Sequence, residues 1–263
     1  MDKSYARKRF SQNFLNDQNI LKKISNVVDL SNKNILEIGP GKGSLTKHLL
    51  AKAKQVIAFE IDHNLFEYLK SEFTNSNFNL INKDFLKEDL SAYRDFYIIS
   101  NIPYHISTEI VFKIFENYQN FPEVVLLVQK EFGKRLCAKV STKDYSKLAP
   151  STSLFYEATY CFDVDAKSFW PQPKVTSCVV HLKRKDKKYD VDYQDFLNFI
   201  KTSFSMRRKT FWNNIKQIYH FDFNYFQSIC NEMEINTNIR PENLSLDQLL
   251  VFYKKLKNKS TNN

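Results

Sequence analysis

Three of the chain's four glycines fall within five residues, in Asn34-Ile-Leu-Glu-Ile-Gly-Pro-Gly-Lys-Gly-Ser44. Gly39, Gly41 and Gly43 follow an apolar, β-branched run and precede the helical pattern of Leu45, His48 and Leu49. A strand, a glycine turn and a helix start form the corner at which an open α/β sheet binds phosphates and nucleotides, because the backbone can approach a ligand where side chains are missing. Two carboxylates follow at places that suit a nucleoside. Glu60 sits at the C-terminal end of the run 55–61, where it can accept hydrogen bonds from both ribose hydroxyls. Asp84 follows the run 78–82 and could accept from an adenine amino group, although a lone acid at a strand end also serves as a helix N-cap. The arrival of glycine loop, Glu60 and Asp84 in this order favours the ligand.

These residues need a sheet to hold them. A helix begins after Asn16-Asp17, an N-cap signal, and runs through Ile20, Leu21, Ile24 and Val27-Val28. Strands are predicted at 34–38, 55–61, 78–82, 96–100 and 124–128. Helices lie between them at 43–53, through Leu65, Phe66 and Leu69, and at 107–117. Strand and helix in alternation predict an α/β fold, a Rossmann-like, doubly wound and mostly parallel sheet. The rhythm changes after Lys139. Phe162–Val164 and Ser177–Leu182 read as two late strands around the proline-punctuated loop Phe169-Trp-Pro-Gln-Pro-Lys-Val175. Beyond the charged run Lys183–Lys188 the pattern is helical, at 193–204, 209–219, 223–232 and 246–256. The expected domains are therefore 1–187, with the sheet, and a small all-helical 188–263, whose tail from 257 should fray.

A dinucleotide fingerprint requires G-x-G-x-x-G. Counted from Gly39 its third glycine would be residue 44, which is serine, so a nicotinamide-dependent oxidoreductase is disfavoured. Lys42 is not placed for a Walker loop either. The loop reads Glu37-x-Gly39-x-Gly41-x-Gly43, which resembles the E/D-x-G-x-G-x-G signature of class I S-adenosylmethionine-dependent methyltransferases.

Directly after the fourth strand stands Asn101-Ile-Pro-Tyr104, similar to the (N/D)-P-P-(Y/F) motif of methyltransferases that modify exocyclic amines of bases. The lone pair of an adenine N6 is delocalised into the ring and is a poor nucleophile. Two acceptors gripping its N–H bonds favour a more tetrahedral nitrogen. By this resemblance the acceptors are the Asn101 side-chain oxygen and the Pro103 carbonyl. Pro103 fixes the turn, and Tyr104 offers a face for stacking, worth roughly 1–3 kcal/mol per base. Phe169 is implied to be a second ring sandwiching a flipped base, although an aromatic between prolines is also a common core plug. Nothing nearby forms a Ser/His/Asp or Cys/His set. His105 is either a general base or a plain loop residue.

The chain has 263 residues, 43% hydrophobic and 26% charged, as in an ordinary globular protein. Its net charge of +10 is uneven. Residues 1–25 carry six Lys/Arg against two Asp, and residues 165–220 carry twelve against five. Such clustering suits a polyanion partner, or a solvated lysine-rich surface. Cys137, Cys161, Cys178 and Cys230 form no CxxC pair, so neither a zinc site nor a disulfide framework is expected, and free thiols fit a reducing cytoplasm. No signal peptide and no membrane span are expected.

Taken together these motifs are similar to those of the rRNA adenine N6,N6-dimethyltransferases. Lys8-Arg-Phe-Ser-Gln-Asn-Phe-Leu15 resembles the family's N-terminal motif and Asn101–Thr108 its catalytic one, with Gln129-Lys-Glu131 and Phe169–Val175 following in order. One branch, of KsgA/RsmA type, dimethylates two adjacent adenosines in the 3′-terminal hairpin of small-subunit rRNA; the Erm branch modifies a large-subunit adenosine. Met206-Arg-Arg-Lys-Thr-Phe211 and Arg240-Pro-Glu-Asn-Leu-Ser-Leu246 resemble the closing motifs of the first branch, which they favour. The resemblance implies S-adenosylmethionine as cofactor, held by Asn13, Leu15, Gly39, Gly41, Glu60, Asp84 and Asn101. It implies rRNA backbone contacts by Arg207, Arg208 and Lys209, a small ribosomal subunit as partner, a cytoplasmic monomer, and no metal. A second class of function, an assembly factor that occupies the immature subunit, is compatible with the basic helical C-terminal region.

Overall fold

In the computed structural model, which describes residues 13–216 and 221–261, the first strand of the sheet is Asn34–Ile38 (β2). It is preceded by a two-residue strand, Phe14–Leu15 (β1), and a helix, Gln18–Ile24 (α1), capped by the Asp17 carboxylate. The first five residues of the quoted N-terminal motif, 8–12, lie outside the described residues. Then come Ser44–Leu50 (α2), Gln55–Phe59 (β3), His63–Glu72 (α3), Phe78–Ile81 (β4), Phe96–Asn101 (β5), Ser107–Glu116 (α4) and Glu123–Gln129 (β6). Lys130–Leu136 (α5), Leu148–Phe155 (α6), Tyr156–Val164 (β7), Phe169–Trp170 (β8) and Ser177–Arg184 (β9) complete the middle of the chain. The C-terminal helices are Tyr193–Ser203 (α7), Phe211–Ile215 (α8), Phe223–Glu232 (α9) and Leu246–Thr261 (α10).

The seven-stranded sheet has the order β4-β3-β2-β5-β6-β9-β7. Strands β4, β3, β2, β5 and β6 are parallel neighbours, and β9 runs antiparallel to β6. The parallel strands are near-continuous apolar runs, as a sheet covered on both faces requires: four of the five residues of β2 and five of the seven of β6 are buried. Strand order reverses between β2 and β5, which makes the crevice outside their carboxyl ends the place for a ligand. The two ends are stitched together there. The buried Ser100 hydroxyl donates to the Ile38 carbonyl at 2.6 Å and accepts from the Ile38 N–H at 3.2 Å.

The glycines of the turn after β2 are needed for different reasons. At Gly41 (φ +62°) a Cβ would lie 3.0 Å from the Phe14 ring, and at Gly43 (φ +77°) 2.4 Å from the Phe73 ring. Gly43 thus lets α2 start against α3. Gly43→Ala is expected to cost about 2–4 kcal/mol, combining left-handed strain with overpacking, read as a shift of the denaturant midpoint.

Packing divides the chain into two units: residues up to 133 with 157–184, and 134–156 with 185–263. A single boundary at 187 therefore does not capture the segment 134–156, which groups with the C-terminal helices. That second unit is built on aromatic residues. Phe211 packs edge-on to Phe252 at 4.8 Å, and Phe196 lies 5.1 Å from Tyr253. Helix α8 starts at Phe211, two residues after the expected 209, and residues 217–219 of the expected 209–219 lie outside the described residues. Helix α10 continues to Thr261, past the point where fraying was expected.

Candidate functional site

The crevice at the strand-order reversal is a cavity of ≈ 280 Å³. Its wall contains Asn13, Leu15, Gly39, Gly41, Glu60, Asp84, Asn101, Pro103 and Tyr104, that is, every residue expected to hold a cofactor and three of the four expected to act on a base. They come from five separate stretches of chain, all at the carboxyl ends of parallel strands or on the β1 segment.

Glu60 follows β3 directly and is buried. One carboxylate oxygen accepts the Asp62 N–H at 2.9 Å and the other the Gly41 N–H at 3.2 Å, so this acid also fixes the glycine turn. Burial pushes its pKa up to about 7, against the pull of those N–H groups. Glu37, the acid that opens the glycine signature, is buried as well and accepts from the Thr46 hydroxyl at 2.7 Å. Burial raises it to about 8; the Thr46 bond opposes the shift and the Glu60 charge adds to it. Asp84 does cap a short 3₁₀ turn, one oxygen accepting the Leu86 N–H at 3.0 Å, and it also borders the cavity. The two readings of this acid are compatible, because a carboxylate has a second oxygen.

The acceptor side is the turn after β5. The Asn101 side-chain nitrogen donates to the Asn13 carbonyl at 3.4 Å, leaving the amide oxygen as its acceptor for a ligand. The Pro103 carbonyl differs from expectation. It already accepts from the Ser107 hydroxyl at 3.1 Å and from the Ile106 N–H at 3.3 Å, so an amine hydrogen would have to displace one of them. Tyr104 is half-buried, with its hydroxyl 2.5 Å from the Ser177 hydroxyl oxygen. Burial, the largest influence, raises its pKa and keeps it a neutral phenol. His105 is exposed.

Phe169 is the clearest correction. It is not among the residues lining the cavity; it is buried in the core with Leu15, Val164 and Val179. The reason is strand alternation. In the antiparallel β1–β8 pair, Leu15 faces Phe169 and Phe14 faces Trp170, so the Leu15/Phe169 pair points into the core and Phe14/Trp170 to the other side. Trp170 is the exposed one, and the Lys42 ammonium sits over both the Phe14 ring, at 5.3 Å, and the Trp170 ring, at 5.8 Å. Phe14 and Lys42 border the cavity and were not singled out from sequence.

Arg207, Arg208 and Lys209 lie in the second unit, exposed, on the loop between α7 and α8 rather than on a helix. The loop is wrapped around one buried amide. The Asn214 oxygen accepts from the Met206 N–H at 2.6 Å and the Ser205 hydroxyl at 3.0 Å, while its nitrogen donates to the Thr210 and Met206 carbonyls. The Arg207 guanidinium donates one bond, to the Lys143 carbonyl at 2.6 Å, and keeps other N–H groups for an anion. Among the described residues no group of His, Cys, Asp and Glu is placed to hold a metal, and no helix is long and apolar enough to cross a membrane.

Comparison with known proteins places this geometry in a family. The chain is 41% identical to the ribosomal RNA small subunit methyltransferase A of Mycoplasmopsis pulmonis over 253 residues, 96% of this chain and 99% of that one. It is 38% identical to the protein of the same name from Chlorobium phaeobacteroides, covering 96% and 94%. Among solved structures, a dimethyladenosine transferase from Plasmodium falciparum superposes with a TM-score of 0.79 at 28% identity, covering 92% of this chain and 98% of that one. The 23S rRNA methyltransferase ErmE shares the fold, with a TM-score of 0.71 at 24% identity over 93% and 100%. The family model for ribosomal RNA adenine dimethylase matches residues 3–257, nearly the whole chain, and this protein therefore belongs to the ribosomal RNA adenine dimethylase family.

Proposed function

We infer that this chain transfers methyl groups from S-adenosylmethionine to N6 of adenosines in small-subunit ribosomal RNA, at two adjacent adenosines of the 3′-terminal hairpin. One observation carries the reading: the nucleoside-binding acids and the Asn101–Tyr104 turn line the same cavity, so donor and acceptor can meet in it. The small-subunit assignment is supported by relatives that carry that name at 41% and 38% identity over nearly their full length; the likeness to ErmE speaks for the fold alone.

The cavity fits the cofactor on its own chemistry. It offers a close backbone approach at Gly39 and Gly41, a buried carboxylate for the ribose at Glu60, and Asp84 for the adenine amino group. When bound, the sulfonium supplies an electrophilic methyl group with a neutral thioether as leaving group. The protein's contribution is then positioning. The Asn101 oxygen accepts one N6 hydrogen, and the Tyr104 ring carries the base face. Because the Pro103 carbonyl is engaged, the Ile102 carbonyl, on the same cavity wall, is our candidate for the second hydrogen. No side chain is needed to hold the proton that leaves, since a methylated anilinium-type nitrogen is strongly acidic.

The helical unit, with its loop Arg207–Lys209, is proposed to grip the rRNA backbone in a cytoplasmic small subunit. Replacing Arg207 and Arg208 together by alanine is expected to weaken subunit binding and make its log–log salt slope shallower by roughly 1.5–2, measured by filter binding at several salt concentrations. An unchanged slope would remove the loop from the interface. The function itself is tested by incubating the protein with labelled cofactor and each ribosomal subunit from a strain lacking the modification, then mapping the label. Label on small-subunit adenines supports the reading, and label on the large subunit refutes it.

A further inference from the structure

The hydroxyl of Tyr104 has no task in stacking, which a phenylalanine would do equally well, yet it is hydrogen-bonded inside the protein. Its partner is the Ser177 hydroxyl, 2.5 Å away. Ser177 has no exposed surface and does not border the cavity, so it cannot touch either substrate. It is the first residue of β9 and pairs with Gln129 at the end of β6. The residue before it is fixed too, since the Lys130 N–H donates to the Thr176 carbonyl at 3.0 Å. The ring is thus held at both ends, its Cα by the turn after β5 and its oxygen by the sheet two strands away.

We propose that Ser177 is a positioning residue of the methyl transfer, its hydroxyl setting the plane of the Tyr104 ring against which the acceptor base is held. Stacking is tolerant of sequence but not of angle. A ring free to turn about its Cβ–Cγ bond would still bind a base and would hold N6 off the line to the methyl donor. Misplacement of this size falls on turnover rather than on affinity. The bond has no acid–base duty, because a buried neutral phenol and a serine hydroxyl exchange no charge. The proposal rests on the reading of Tyr104 as the stacking ring, and it also explains why a tyrosine stands at 104 where a phenylalanine would supply the same face.

The bond can be removed from either side, by Ser177→Ala or by Tyr104→Phe, and the two together close a double-mutant cycle. Each single variant is expected to lower kcat roughly tenfold, about the worth of one buried hydrogen bond, with KM for the cofactor and the melting temperature of Tyr104→Phe little changed. The double variant should be no slower than the slower single. Ser177→Thr, which restores the hydroxyl, should recover most of the rate. With 2-aminopurine at the target position, wild type should quench the flipped base more strongly than either single variant. Full activity in both singles, or losses that multiply in the double variant, would overturn the proposal. Full activity in Tyr104→Ala would instead overturn the stacking reading beneath it, so the two failures are distinguishable. Should Ser177→Ala fail to fold, Tyr104→Phe alone still decides, because it deletes the same bond without opening space in the sheet.

Discussion

Replacing Tyr104 by alanine is expected to lower kcat/KM for the subunit by about a hundredfold or more, while the affinity for S-adenosylmethionine changes by less than about threefold. The stacking surface lost is worth roughly 1–3 kcal/mol, and a base no longer held in line costs turnover in addition. The cofactor should be nearly indifferent, because its contacts are expected from the glycine turn, Glu60 and Asp84, which other elements hold. Gly39 is tied to β3 by its N–H donating to the Phe59 carbonyl at 2.8 Å, and Glu60 to β4 by its N–H donating to the Ile81 carbonyl at 3.0 Å; neither bond involves the turn after β5. Calorimetric titration of the cofactor and single-turnover methylation of unmodified subunits measure the two effects separately. Equal loss in both would mean that Tyr104 supports the cavity as a whole. Full activity would take the ring out of the mechanism.

That separation of donor and acceptor halves was visible in the sequence because each half is local. The glycine turn is five residues long, and the amide, proline and ring of Asn101–Tyr104 are four. Glu60 and Asp84 were legible for another reason: a buried parallel strand is a continuous apolar run, and the first acid after it must lie at the sheet's carboxyl edge. What escaped reading was made by pairing across long stretches of chain. β1 and β8 are two residues each and meet only because residue 14 finds residue 170, so no periodicity marks them. Without that pairing nothing in Phe169-Trp170 says which ring goes inward, so Phe169, which is buried in the core, reads from sequence as facing the base. α6 was hidden differently. Seven of its eight residues are buried, so it has no polar face to give a 3.6-residue rhythm, and Thr152 satisfies its hydroxyl on the Leu148 carbonyl at 2.7 Å inside the helix. The basic loop was legible as charge but not as shape: its scaffold, Asn214, is a single amide with no motif around it.

The second large effect concerns Glu60, and here the sign with pH matters. Its folded-state pKa of about 7 stands above the ordinary 4.5. A raised acid favours the folded state fully below the unfolded value, and the advantage is lost as pH rises through the folded value. Without cofactor the protein should therefore lose stability between about pH 4.5 and 7, with Glu37 extending the decline to about 8. Ribose hydroxyls donate to the ionised form, so cofactor affinity should rise over the same window, and binding near pH 6.5 should release a proton. Glu60→Gln keeps the shape and one acceptor oxygen but removes the charge. It should weaken cofactor binding roughly 10–100-fold, the worth of hydrogen bonds to a charged group, and flatten both the affinity profile and the melting-temperature profile below pH 7. Calorimetry in buffers of different ionisation heat counts the proton directly. Release that disappears in Glu60→Gln assigns it to this carboxyl; release that persists at full size assigns it to Glu37, which shares the cavity wall. Unchanged cofactor affinity in Glu60→Gln would leave the acid as a brace for the glycine turn, through its bond to the Gly41 N–H, and would require another residue to hold the ribose.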